Sequence, residues 1–154
     1  MYLVGMAPTQ ARELTDVVAR LRRALRRSIR SDYPWESRPM AQVEVLQTLR
    51  DTGAIRLGDL AAQLNLAQST VSTLVGRLLA DGLVARGVDP HDRRAAVLEL
   101  SPAGRKHLRE WDAAHRRRLS RALGTLRPSD RNRITAALPA LAELVDVLNG
   151  DLDS

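Results

Sequence analysis

The sequence predicts a mainly α-helical chain with a small β-hairpin wing, a winged helix-turn-helix plus N- and C-terminal dimerisation helices. Three observations predict it. Apolar residues recur at helical spacing through both ends of the chain. Two short helical patterns meet at a sharp-turn residue in its middle, and a polar tip between two strand-like runs follows them. With 154 residues and 44% hydrophobic content, the chain reads as one domain, 1–154. Within it the winged helix-turn-helix takes 38–100, and the helices over 8–31 and 101–150 are expected to dimerise.

Taken in order, the first helix carries Leu14, Val17, Val18, Leu21, Leu25 and Ile29 as one stripe, flanked by Arg20, Arg22, Arg23, Arg26, Arg27 and Arg30. Ser31 to Pro39 then breaks the pattern and holds two of the few aromatics, Tyr33 and Trp35. From Leu57, the residues Leu60, Ala61 and Leu64 make the inner face of a short helix. Asn65 follows where the chain must turn, and Asn tolerates the left-handed conformation better than most residues. The next helix buries Val71, Leu74, Val75, Leu78 and Leu79 and turns Gln68, Ser69, Thr70, Ser72, Thr73 and Arg77 outward. Hydroxyls, an amide and a guanidinium can hydrogen-bond base edges and phosphates, and a helix N-terminus favours an anion. A merely solvated face would more often carry Glu, Lys and Ala, because Ser and Thr are middling helix formers.

The hairpin pairs Leu83 to Val88 with Ala95 to Leu100 across a tip of Asp89, Pro90, His91, Asp92, Arg93 and Arg94. Turn formers followed by two cations suit an exposed tip that reaches a phosphate backbone or a narrow groove. Taken alone, an ordinary charged surface hairpin fits as well. Ser101 is expected to cap a long helix with Pro102 at its first position, and Leu108, Trp111, His115, Leu119 and Ala122 continue its apolar side. A last helix from about Pro128 holds Ile134, Leu138, Leu141, Leu144, Val145 and Leu148, with a kink expected at Pro139. That is more apolar surface than one small winged domain covers, so a second copy of the chain is the expected cover.

A formal charge of +6 and a pI near 11.0 suit a polyanionic partner. Lys106 is the single lysine, a bias that a GC-rich genome would produce equally, so arginine over lysine carries little weight. Cysteine is absent, which excludes disulfides. No apolar run reaches membrane-spanning length, and the opening MYLVGM is too short for a signal peptide, so a soluble cytoplasmic chain is expected; Met6 is a second candidate start.

Catalysis has little support, since no Ser-His-Asp pattern or phosphate loop is present and no cofactor is implied. A metal site is the stronger rival. Asp112 and His115 are three residues apart on one helix, but His107 lies two turns away, about 12 Å along the axis, so no shared ion is expected without another segment.

From Met40 to Gly104 the chain resembles the MarR family of winged helix-turn-helix transcription regulators. The specific part is Asp92-Arg93-Arg94, then the strand, then Leu100-Ser101-Pro102-Ala103-Gly104, similar to the family's wing pattern of Asp, any residue, Arg, a strand and Leu-Thr-x-x-Gly, with Ser101 for the usual Thr. The resemblance implies that Arg94 enters a minor groove and that Asp92 holds it. It also implies an intertwined two-fold dimer and an effector cleft near Ser31 to Pro39; with no Phe and 3% aromatic content, Tyr33, Trp35 and Trp111, with His115, are the candidates to stack on a small aromatic ligand, or they simply plug a helix junction. Thiol-based peroxide sensing, used by some members, is excluded here by the missing cysteine. Arg56 departs from the pattern, lying where such domains often place a Ser or Thr cap. The expected function is a repressor that binds a palindromic double-stranded operator as a homodimer and is released by a ligand. The rival readings are a sequence-indifferent architectural DNA binder and a protein-interaction module.

Overall fold

The computed structural model describes residues 8–30 and 38–150. The elements run α1 (Pro8–Arg30), α2 (Met40–Thr52), α3 (Leu57–Leu64), α4 (Gln68–Ala80), β1 (Val84–Val88), β2 (Ala96–Leu100), α5 (Pro102–Thr125) and α6 (Pro128–Gly150). The two strands pair antiparallel, with Val84 opposite Leu100 and Val88 opposite Ala96. Ile55 adds a short third rung on the far edge of β2, exchanging hydrogen bonds with Leu98 at 3.0 and 2.8 Å. The core gathers Val45, Leu46 and Leu49 of α2, Leu60 and Ala61 of α3, Val71, Val75 and Leu78 of α4, Leu83, Val84, Leu98 and Leu100 of the hairpin, and Leu108 of α5. Burying each of the larger side chains contributes about 1.5–3 kcal/mol.

Both helices of the central motif end in the same way. Asn65 takes the left-handed conformation at φ 51°, so that its N–H reaches the Ala62 carbonyl and that of Leu66 reaches Ala61. Gly82, at φ 72°, repeats the geometry after α4, with Gly82 bonded back to Leu79 and Leu83 to Leu78. This second closure explains why β1 begins at Val84, one residue after the sequence predicts: the Leu83 N–H is already spent on the helix end. At the other end of the hairpin the Ala95 N–H is taken by the Asp92 carbonyl at 2.9 Å, so β2 begins at Ala96.

The start of α5 locks onto this same place. The Ser101 hydroxyl accepts from the Gly104 N–H at 3.0 Å and donates to the Gly82 carbonyl at 2.6 Å. The Ser101 N–H donates to Leu83 at 3.1 Å. Gly104 lies so close that a Cβ there would overlap the Leu83 carbonyl. The end of α4, both ends of the hairpin and the first turn of α5 are thereby joined within a few residues.

The long helices are only half covered. Ile29 of α1 is fully buried and Leu14 and Leu25 partly so, but Val17, Val18 and Leu21 of the same stripe lie open to solvent. No residue of α6 is buried, and Leu138, Val145 and Leu148 are each more than half exposed, at 54%, 55% and 57%. Pro139 lies inside α6 without dividing it, although it cannot donate to the Thr135 carbonyl one turn back.

Another buried group is polar. His107 of α5 is 3% exposed, and burial, helped by the charge of Arg38 and opposed by that of Glu110, holds its imidazole below the ordinary value.

Gly104→Ala should lower unfolding free energy by about 3 kcal/mol or more in denaturant titration, because backbone has to move. Gly124→Ala in the same helix, where a new Cβ meets nothing within 4 Å, should instead stabilise by about 0.5–1 kcal/mol. Because the folded pKa of His107 is depressed, the unfolded chain takes the proton first, and stability should fall as pH drops below about 6.5. His107→Gln should flatten that part of the stability profile, and an unchanged slope would contradict it.

Candidate nucleic-acid interface

The outward face of α4 carries Gln68, Ser69, Thr70, Ser72, Thr73 and Arg77, all exposed, while Val71, Val75 and Leu78 anchor the opposite face in the core. Leu74 and Leu79, expected inside, are only partly buried, because they lie at the margins of the stripe. The helix starts at Ala67 without a side-chain cap, a geometry that suits an anion. Thr73 donates its hydroxyl proton to the Ser69 carbonyl at 3.1 Å, which leaves its lone pairs to accept from outside. The Arg77 guanidinium lies 3.9 Å from Asp81 and is 72% exposed. Asp81 is already held by Arg38 at 2.8 Å, and that hydrogen bond keeps its carboxyl below the usual range. Arg77 is therefore a secondary partner there, and it extends largely into solvent.

The hairpin tip is organised by its two acids. Asp89 Oδ1 accepts the His91 N–H at 2.8 Å, and Asp92 Oδ1 accepts the Arg94 N–H at 3.0 Å. Asp92 thus holds the backbone of Arg94 rather than its guanidinium. Arg93 and Arg94 are exposed, and among the described residues their guanidiniums make no hydrogen bond or ion pair. Arg56 supplies no cap to α3; its Nε and Nη2 both bind Asp89 Oδ2, at 2.8 and 2.7 Å. The His91 amide first, and this ion pair second, hold the Asp89 carboxyl below the usual range, while the Asp89 bond raises Arg56 further. The sequence signals Arg56 only as a missing cap, and it does not signal the Arg38–Asp81 pair at all.

The aromatic candidates divide. Tyr33 and Trp35 lie outside the described residues. Trp111 and His115 are both half-buried on α5, their ring centroids 3.8 Å apart and tilted by 37°, and His115 Nδ1 lies 2.9 Å from the Trp111 carbonyl. A carbonyl can only accept, so Nδ1 carries the proton. Asp112 is engaged with Arg50 at 3.0 Å, and among the described residues no group of three or more His, Cys, Asp or Glu gathers as a metal would require. No described helix is long and apolar enough to cross a membrane.

The family model that matches residues 39–96, from the start of α2 through the whole wing tip, is that of the MarR family. A Pseudomonas aeruginosa structure is 30% identical, covers 89% of this chain and 94% of its own, and superposes with a TM-score of 0.76. The chain belongs to the MarR family. A MarR family protein from Bacillus stearothermophilus is similar at 26% identity, with 92% of this chain and 99% of that one covered and a TM-score of 0.72. BpsR of Bordetella bronchiseptica, whose DNA binding is regulated by 6-hydroxynicotinic acid, is 27% identical over 92% of this chain and 97% of its own, with a TM-score of 0.56. As a MarR protein, this chain is a transcription regulator with a DNA-binding winged helix-turn-helix, and not an enzyme.

Proposed function

We propose that this MarR protein is a repressor that reads a pseudo-palindromic operator as a homodimer and is released by a small aromatic ligand. The observation that carries this reading is the exposed amide and hydroxyl face of α4 beside a wing tip whose two guanidiniums are unengaged among the described residues. In it, residues 38–100 form the reading unit. Gln68, Ser69, Thr70, Ser72, Thr73 and Arg77 enter the major groove, and Arg93 and Arg94 reach the adjacent minor groove with the tip shaped by Asp92. The helices over 8–31 and 101–150 join the two copies, a role supported by the open apolar side chains of α1 and α6. Two-fold symmetry then turns one reading helix into a reader of two half-sites. The ligand would sit among Tyr33, Trp35, Trp111 and His115, a reading supported by the regulated DNA binding of BpsR.

The test of the interface uses a duplex selected by the wild-type chain from a random-sequence pool, titrated beside a scrambled duplex at two salt concentrations. Arg94→Ala should weaken binding to the selected duplex by about 1–3 kcal/mol with little loss of stability. Thr73→Ala should lower the ratio of specific to non-specific affinity, because a lost base contact acts on the true site alone. Equal binding of both duplexes by the wild-type chain would favour the architectural alternative.

The dimer has its own test. Truncation after Arg127 should leave an aggregating or unfolded chain, whereas the full chain should sediment as a dimer. Selected sites should contain half-site centres about 10 base pairs, or about 34–36 Å, apart. A folded full-length monomer, or protection of one short half-site, would contradict the assembly.

A further inference from the structure

The wing tip is held from outside the hairpin. Ile55 hydrogen-bonds both ways to Leu98 in the centre of β2, which fixes the chain alongside the hairpin one residue before Arg56. Arg56 itself is extended, at φ −72° and ψ 152°, and its guanidinium reaches the tip. There the two acids share one arrangement. Each spends Oδ1 on a tip amide, Asp89 on His91 and Asp92 on Arg94, and each presents Oδ2 to Arg56 Nη2, at 2.7 and 3.8 Å. One side chain from the start of α3 therefore binds Asp89 directly and lies within ion-pair distance of Asp92, the two carboxylates that shape the loop carrying Arg93 and Arg94.

We propose that Arg56 is a positioning residue for DNA binding, holding the wing tip in the conformation that presents Arg94, and is not itself a DNA contact. The inference rests on the wing reading given under Proposed function. An ion pair with 46% of the Arg56 side chain exposed adds little to stability, so its effect belongs to the geometry of the loop. Preorganising a flexible loop in its bound conformation strengthens binding by removing the cost of ordering it.

The sign of one substitution separates positioning from direct contact. Asp89→Asn removes a negative charge from the DNA side of the protein, which on charge alone would tighten binding. If Arg56 positions the tip, the same change loosens the loop and weakens binding. With the selected duplex, Arg56→Ala and Asp89→Asn should each reduce affinity by about five- to tenfold, a part of what a full contact is worth. Arg56→Lys, which keeps the charge but not the planar fork, should recover only part of the loss. In an Arg94→Ala background, Arg56→Ala should cause almost no further loss. Thermal unfolding of each variant should remain near that of the wild type.

Tighter or unchanged binding by Asp89→Asn would overturn the proposal, as would a full additional loss from Arg56→Ala in the Arg94→Ala background; both outcomes belong to a direct phosphate contact. Unchanged binding by Arg56→Ala, with Arg94→Ala strongly weakened, would overturn the positioning role alone. Unchanged binding by Arg94→Ala would remove the wing reading beneath it.

Discussion

The close approach of Gly104 to the Leu83 carbonyl is the contact around which the rest of the chain is arranged. Leu83 leaves α4 through a left-handed glycine, opens the hairpin, and receives the Ser101 N–H where the hairpin returns. Ser101 binds the same turn through its hydroxyl while capping α5. No side chain could be inserted between these backbones, so α4, the hairpin and α5 have one relative placement. The α4 face and the base of the wing are consequently two parts of one surface, and α5 extends from that surface as its stem.

Beyond the joint, acidic residues act as ties between segments distant in sequence. Asp81 holds Arg38 at the start of α2, Asp112 of α5 holds Arg50 at the end of α2, and Asp89 holds Arg56. Each pair is at least partly exposed and contributes little energy alone. Each one fixes where a loop or helix end lies, and geometry is what a surface that must match DNA requires. In a chain with a net charge of +6, pairing a few arginines internally still leaves Arg93 and Arg94 to face outward.

What the sequence made legible was local. Asn65 at the turn, Ser101 with Pro102 at the start of α5, and the buried stripe through Val71, Val75 and Leu78 follow from conformational preference and periodicity, which need only neighbours in the chain. The hairpin was legible to within one residue; the error came from the Leu83 and Ala95 amides, whose partners no strand pattern reveals. Arg56 was visible as a break in a capping pattern, yet its partner lies 33 residues onward. The Arg38–Asp81 contact spans 43 residues and left no mark at all. Pairing across such distances is settled by the fold. The stacked Trp111 and His115 are intermediate, since their one-turn spacing on a helix predicts contact but not how much of it is covered.

The length of α5 has a mechanical consequence. Its 24 residues, at about 1.5 Å of rise each, make a rod of about 36 Å. Its first turn is clamped at Ser101 and Gly104, while Trp111 and His115 lie on either side of its midpoint. A rod pivoting near its far end by about 5° would sweep the clamped end through about 3 Å, close to the rise of one base pair. Because the clamp has no slack, that sweep would pass undiminished to α4 and the wing. A helix clamped in this way would act as a pointer, turning a small rotation about its far end into a displacement on the scale of a single step along the double helix.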